Sequence, residues 1–167
     1  MICIGFGASD SLRSKLIRWA TASDWSHVWV EYPSTCWGGQ WAAHSTEYGV
    51  VKEQCERVRT RYDRTYIFEV KGFDITNGMK ECGHLLGRRY DFKVIWNALL
   101  LVVHRATKWK WLWSLASRDI SRLTCSEFVA TVMKRAGLSE AKGLDPEFTT
   151  PGDLFKLCKA SKTFWML

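Results

Sequence analysis

Cys125 is the residue of this chain whose surroundings best suit nucleophilic chemistry. It lies in the run Leu123-Thr124-Cys125-Ser126-Glu127-Phe128-Val129. Thr124, followed three residues later by Glu127 at the head of an apolar stretch, is a capping box, so the pattern predicts a helix with Thr124 as N-cap and Cys125 as its first residue. In that first turn the unpaired backbone N–H groups and the positive end of the macrodipole favour an anion. A thiol placed there is expected to titrate low and to supply a thiolate at neutral pH. The competing reading is the ordinary fate of a free cysteine, a small buried hydrophobe. The stretch by itself leaves both open.

A cysteine nucleophile needs an imidazole to move its proton and a polar group to hold that ring in one tautomer and orientation. The chain has four histidines. His84 falls in a predicted helix and His104 at the end of an apolar segment, where solvated or packing roles suffice. His27 and His44 instead fall in two successive predicted strands. If those strands pair, both rings can face the start of one helix packed across the sheet, and Cys125, His27 and His44 come together. Glu31 and Glu47 are alternatives to His44 as the orienting group.

The elements that must position these residues follow from periodicity and punctuation. Residues 2–6 read as a strand, and Ser9 or Asp10 can cap a helix over 11–22 with Leu12, Leu16, Ile17 and Trp19 or Ala20 turned inward. Residues 26–32 form a β-rich run in which His27, Trp29 and Glu31 share one face and Val28, Val30 and Tyr32 the other. Pro33 and Gly38-Gly39 mark a turn. Strands over 40–46 and 49–54 are joined around Glu47-Tyr48-Gly49, and 65–70 is a further strand. Asp74 or Thr76 opens a helix toward Leu86 that stops at Gly87. The apolar segment 92–103 has about half the roughly 20 residues a bilayer-spanning helix requires, and reads as a buried helix. The Cys125 helix should run to Ala136 with Gly137 as its stop, and Thr150-Pro151-Gly152-Asp153-Leu154 starts the last helix.

Composition sets the outer bounds. A chain of 167 residues with 47% hydrophobic and 25% charged residues is globular in character and of single-domain size, and no repeat or linker divides it, so residues 1–167 are read as one domain. The net charge of +7 points to an anionic partner without choosing one. Lys108, Trp109, Lys110, Trp111 and Trp113 concentrate cations and aromatics and would suit an anionic or membrane surface, a lid, or a core edge with solvated lysines; no specific nucleic acid is predicted. The charges Asp10, Arg13, Lys15 and Arg18 interrupt any signal-like apolar run, which favours a cytoplasmic protein, with delivery to a cell wall or host by lysis or specialised secretion left open. Six cysteines without a CxxC pair argue for neither structural zinc nor a disulfide framework, and no metal or cofactor is expected.

The order Ser26-His27-Val28, Ala43-His44, Gly87-Arg88-Arg89-Tyr90-Asp91, Thr124-Cys125-Ser126-Glu127-Phe128-Val129 and Thr150-Pro151-Gly152-Asp153-Leu154 resembles the circularly permuted NlpC-type papain-like hydrolases of the YiiX-like branch. In that family the histidine strand precedes the cysteine helix. The resemblance spans nearly the whole chain and implies an α+β fold, an antiparallel sheet packed against helices that include the nucleophile helix. It implies Cys125 as nucleophile, His27 as general base and later acid, and His44 in the third polar place, where many relatives carry a carboxylate. The Cys125 backbone N–H is the expected oxyanion donor. The function that follows is a cysteine peptidase or amidase cleaving an amide, in a peptide or peptidoglycan stem, through an acyl-enzyme. The alternatives are a lipid-directed acyltransferase or thioesterase, since permuted relatives include enzymes of the lecithin–retinol acyltransferase type, and a non-catalytic, basic, Trp-rich binding protein on the same fold.

Overall fold

A computed structural model describes residues 1–72, 74–88 and 124–167. The apolar segment 92–103, the Tyr90-Asp91 pair and the Lys108 to Trp113 run lie outside the described residues. Six strands form one antiparallel sheet: β1 Cys3–Ala8, β2 His27–Pro33, β3 Gln40–Thr46, β4 Gly49–Gln54, β5 Arg64–Val70 and β6 Phe164–Met166, in the order β4-β3-β2-β1-β5-β6. The described helices are α1 Leu12–Thr21, α2 Cys55–Arg59, α3 Thr76–Glu81, α4 Cys125–Arg135 and α5 Pro151–Ala160. The architecture is therefore α+β, with strands early in the chain and the longer helical part late.

The period-2 pattern divides the sheet into two faces. Ile4, Phe6, Val28, Val30, Ala43, Val50 and Phe68 point to the larger core, which α4 and α5 cover with Phe128, Val129, Val132, Met133 and Leu154. Removing each of these large side chains from water contributes about 2 kcal/mol. The opposite face carries a smaller cluster of Trp29, Ala42, Cys55 and Val58, with Tyr62 and Ile67 against it. His27, Trp29 and Glu31 thus share a face, as the alternation predicts.

The predicted capping box at Thr124 forms, and a second one opens the last helix at Thr150. Thr124 Oγ1 accepts from the Glu127 backbone N–H at 3.0 Å, and Thr150 Oγ1 from that of Asp153 at 3.2 Å, with Pro151 at the first helical position. Gly78 brings α3 so close to α4 that a Cβ there would meet the Val132 carbonyl oxygen at 2.3 Å. The helix expected to run toward Leu86 is shorter: it ends at Glu81, a 3-10 turn spans Gly83–Leu85, and Gly87 turns out with φ +81°.

The facing of α1 differs from expectation. Leu12 is 85% exposed and Trp19 61%, while Ser14 and Ala20 are buried. The helix is seated by small polar contacts: Ser14 Oγ lies 2.7 Å from Ser26 Oγ and accepts from the Ser9 backbone N–H at 3.0 Å. A close approach through Ser14 and Ala20 turns the bulky side chains away. Among the described residues no helix is long and apolar enough to cross a membrane.

Candidate functional site

The register places the two histidines on the smaller face. Strand β2 pairs with β1 along 27–31, but its ladder with β3 stops at Val30–Ala43, although β3 continues to Thr46 against β4. Strands β2 and β3 therefore part at the end that carries His27 and His44. The rings close the gap, with His27 Nε2 2.8 Å from His44 Nδ1. His44 Nε2 lies 3.1 Å from Glu53 Oε1, and Arg61 holds Glu53 with Nη1 donating to Oε1 at 2.9 Å and Nη2 donating to Oε2. Glu53 belongs to β4, where it pairs with Ala42 and so shares the face of His44.

This chain of contacts assigns the tautomers. Arg61, hydrogen-bonded to Glu53, holds its carboxyl below the usual range, so it is ionised and can only accept. His44 must then donate from Nε2. Burial lowers the His44 pKa, opposed by Glu53, so a neutral ring presents an Nδ1 lone pair. His27 donates to it from Nε2 and keeps its own lone pair on Nδ1, which has no hydrogen-bond partner among the described residues. Burial holds His27 well below the ordinary imidazole value of 6.5, with His44, Arg13 and Arg61 adding to the effect. At neutral pH His27 is an unprotonated base with a defined basic nitrogen.

Aromatic rings fix where that nitrogen points. His27 stacks on Tyr62 with centroids 5.5 Å apart and planes 16° apart, and Tyr62 stacks on Trp29 at 5.6 Å and 13°. Two glycines of β1 make room for this layer. A Cβ on Gly5 would lie 2.2 Å from the Trp29 ring, and one on Gly7 2.6 Å from the Tyr62 ring.

Cys125 comes to the site from the other face. It is 4% exposed and lies near the backbone of Val28, the neighbour of His27, whose N–H favours the thiolate form, at the end where β2 and β3 diverge. The Ser126 and Cys125 amides at the helix start favour the thiolate in the same direction. Among the described residues no hydrogen bond joins the thiol to either histidine ring. The low-titrating thiol expected from the helix start is not found: burial pushes Cys125 up to about 11, and the three amides only partly offset it. Desolvation of the charged form outweighs the dipole.

The two alternative orienting carboxylates are engaged elsewhere. Glu31 is 1% exposed and is bound by Arg59 and by the Trp29 indole N–H at 2.8 Å. Glu47 sits in the β3–β4 turn and binds Arg13 at 2.7 Å. Glu53 is the residue that sequence reasoning missed. An open cleft of about 680 Å³ lies over the relay, lined by His27, His44, Glu53 and Tyr62, by the Arg13–Glu47 rim, and by Ser14 and Ser26.

Neither a protein-family profile nor a curated protein matches the sequence. Among solved structures the chain is similar to metalloprotein yiiX from Escherichia coli O157:H7, of DUF1105, with a TM-score of 0.61 and 18% identity over 99% of this chain and 94% of that one. At that identity the likeness is one of fold: this chain has a YiiX-like fold.

Proposed function

We propose that this chain is a cysteine hydrolase of the permuted papain-like type, with Cys125 as nucleophile and His27 as general base. The observation that carries the reading is the relay from Glu53 through His44 to His27, which leaves one basic nitrogen, Nδ1, on the residue that precedes Val28, whose backbone N–H favours the Cys125 thiolate. The YiiX-like fold supports it.

The thiol waits protonated. On attack, His27 Nδ1 takes the Sγ proton as sulfur bonds to the acyl carbon, and the imidazolium then returns that proton to the leaving amine as the C–N bond breaks. Water attacks the resulting thioester with His27 again taking the proton, which releases the acid and restores the thiol. The amides of Cys125 and Ser126 at the α4 start are the donors available to the developing oxyanion. The substrate is an amide-linked acyl group of the peptide or peptidoglycan-stem kind.

The similar protein yiiX is a metalloprotein. Among the described residues of this chain, no three His, Cys, Asp or Glu side chains gather as metal ligands, and the facing nitrogens of His27 and His44 share a proton instead of converging on a third point. These residues do not fit a metal site, and the chemistry proposed uses none.

The test is acylation by an activated ester, p-nitrophenyl acetate, followed by peptide mass spectrometry. Cys125 should acquire the acetyl group faster than the buried Cys3, Cys55, Cys82 and Cys158, and His27→Ala should remove that advantage. Equal labelling of the buried cysteines, or an advantage that survives His27→Ala, overturns the assignment.

A further inference from the structure

Helix α1 presents two of its large apolar side chains to solvent. Leu12, Leu16 and Trp19 recur at i, i+4 and i+7, one stripe of a helix, and Leu12 and Trp19 are exposed by 85% and 61%. Two bulky apolar positions thus face water, because the helix is docked through Ser14 and Ala20. Its charges are all cationic: Arg13, Lys15 and Arg18 lie in the ten-residue sequence and no acid does, with Arg18 turned inward to donate to the Ser9 carbonyl. Arg13 is engaged with Glu47, and Lys15 is 3.9 Å from Asp10, an exposed pair that binds weakly. Lys15 borders the stripe, where a long cationic side chain can place its stem on an apolar phase and its ammonium in water.

We propose that α1 is an in-plane docking helix for an anionic lipid bilayer. A free anion would use the cation and leave the stripe wet, whereas a lipid surface meets both at once: Leu12 and Trp19, with the half-buried Leu16 between them, enter the acyl boundary while Lys15 meets the headgroups. Trp suits this depth, since its ring is apolar and its indole N–H stays hydrated. The first turn of α1 also forms one wall of the histidine cleft, through Ser11, Arg13 and Ser14. Tyr48, 82% exposed, follows Glu47 in the turn that Arg13 binds. The proposal stands independently of the hydrolase reading, because it concerns where the protein sits and not what Cys125 does.

The test is co-sedimentation of the full chain with vesicles of phosphatidylcholine alone and of phosphatidylcholine containing about one-third phosphatidylglycerol. The wild type should sediment with the anionic vesicles and not with the neutral ones. Leu12→Glu with Trp19→Glu should weaken this binding about tenfold or more, and Lys15→Glu should weaken it less and in a salt-dependent way. Both substituted apolar positions are exposed, and an unchanged thermal midpoint verifies that the fold is kept. If the wild type ignores anionic vesicles, or the double variant binds them equally well, the proposal is overturned. It is overturned equally if light scattering shows a wild-type dimer that the double variant loses, for the stripe then covers a second copy.

Discussion

Two carboxylates on the smaller face of the sheet are bound in nearly the same way and do different things. Glu31 on β2 receives Arg59 Nε at 2.9 Å and the Trp29 indole N–H at 2.8 Å on one oxygen, and Arg59 Nη2 on the other. Glu53 on β4 receives Arg61 Nη1 at 2.9 Å and His44 Nε2 at 3.1 Å on one oxygen, and Arg61 Nη2 on the other. Each site is a forked guanidinium plus one ring N–H. The ring decides the role. An indole cannot give up its proton, so Glu31 can only tie β2 to α2. An imidazole has a second nitrogen, so an ionised Glu53 fixes the tautomer of His44 and through it that of His27. Burial separates the pairs further, with side-chain exposures of 1% for Glu31 and 22% for Glu53.

The largest effect should come from breaking the inner pair. Arg59→Ala leaves an ionised carboxylate buried without its counter-charge, which costs about 3 kcal/mol. For a chain of this length that lowers the thermal midpoint by about 10 °C. In the protein that stays folded, acylation of Cys125 should keep its wild-type rate, because Glu31 touches neither histidine. Glu53→Gln should give the opposite pattern. Its site is more open, so stability should change by about 1 kcal/mol or less. The amide can meet His44 with either its oxygen or its NH2, the tautomer is no longer set, and acylation should slow by about a hundredfold. Thermal melts and acylation rates on the two variants decide the matter: if both lose stability and rate in the same proportion, the two pairs are one structural device.

The comparison also marks where the sequence was legible. The strands, the Thr124 capping box and the alternation that puts His27 with Trp29 and Glu31 follow from local rules, because period, cap chemistry and alternation are properties of short stretches. The expectation that both rings face the start of the Cys125 helix is corrected by the register, which puts them on the face opposite the one α4 covers. Glu53 was accessible in principle. The turn around Glu47 and Tyr48 pairs Thr46 with Gly49, and counting back across it sets His44 opposite Val51 and Glu53 opposite Ala42, on the histidine face. Glu31 has the right parity but lies four residues along β2 from His27, and Glu47 is in the turn itself. Two features had no local signal. The period of α1 defines a stripe but not which side the sheet accepts, and the choice fell to the close contact of Ser14 with Ser26. The direction of the Cys125 shift is a contest between a helix start, which can be read, and depth of burial, which depends on the whole fold.

The smallest expected effect concerns pH. Burial lowers the folded-state pKa of His27 below its ordinary value of 6.5, and the positive Arg61 contributes to the lowering. A group lowered on folding binds protons more readily in the unfolded chain, so its contribution to stability is complete above about pH 6.5 and is lost as pH falls toward the folded value. Glu53, lowered from its ordinary 4.5 chiefly by its hydrogen bond to Arg61, behaves with the same sign at lower pH. Removing the guanidinium in Arg61→Ala should raise both folded-state values toward the ordinary ones. The acid limb of Cys125 acylation should therefore move to higher pH, and urea-unfolding stability should depend less steeply on pH below 6.5 than in the wild type. Arg59→Ala, two residues away, should leave both profiles in place. A limb that moves equally in the two variants would show that net charge on this face, and not the path through Glu53 and His44, sets the basicity of His27.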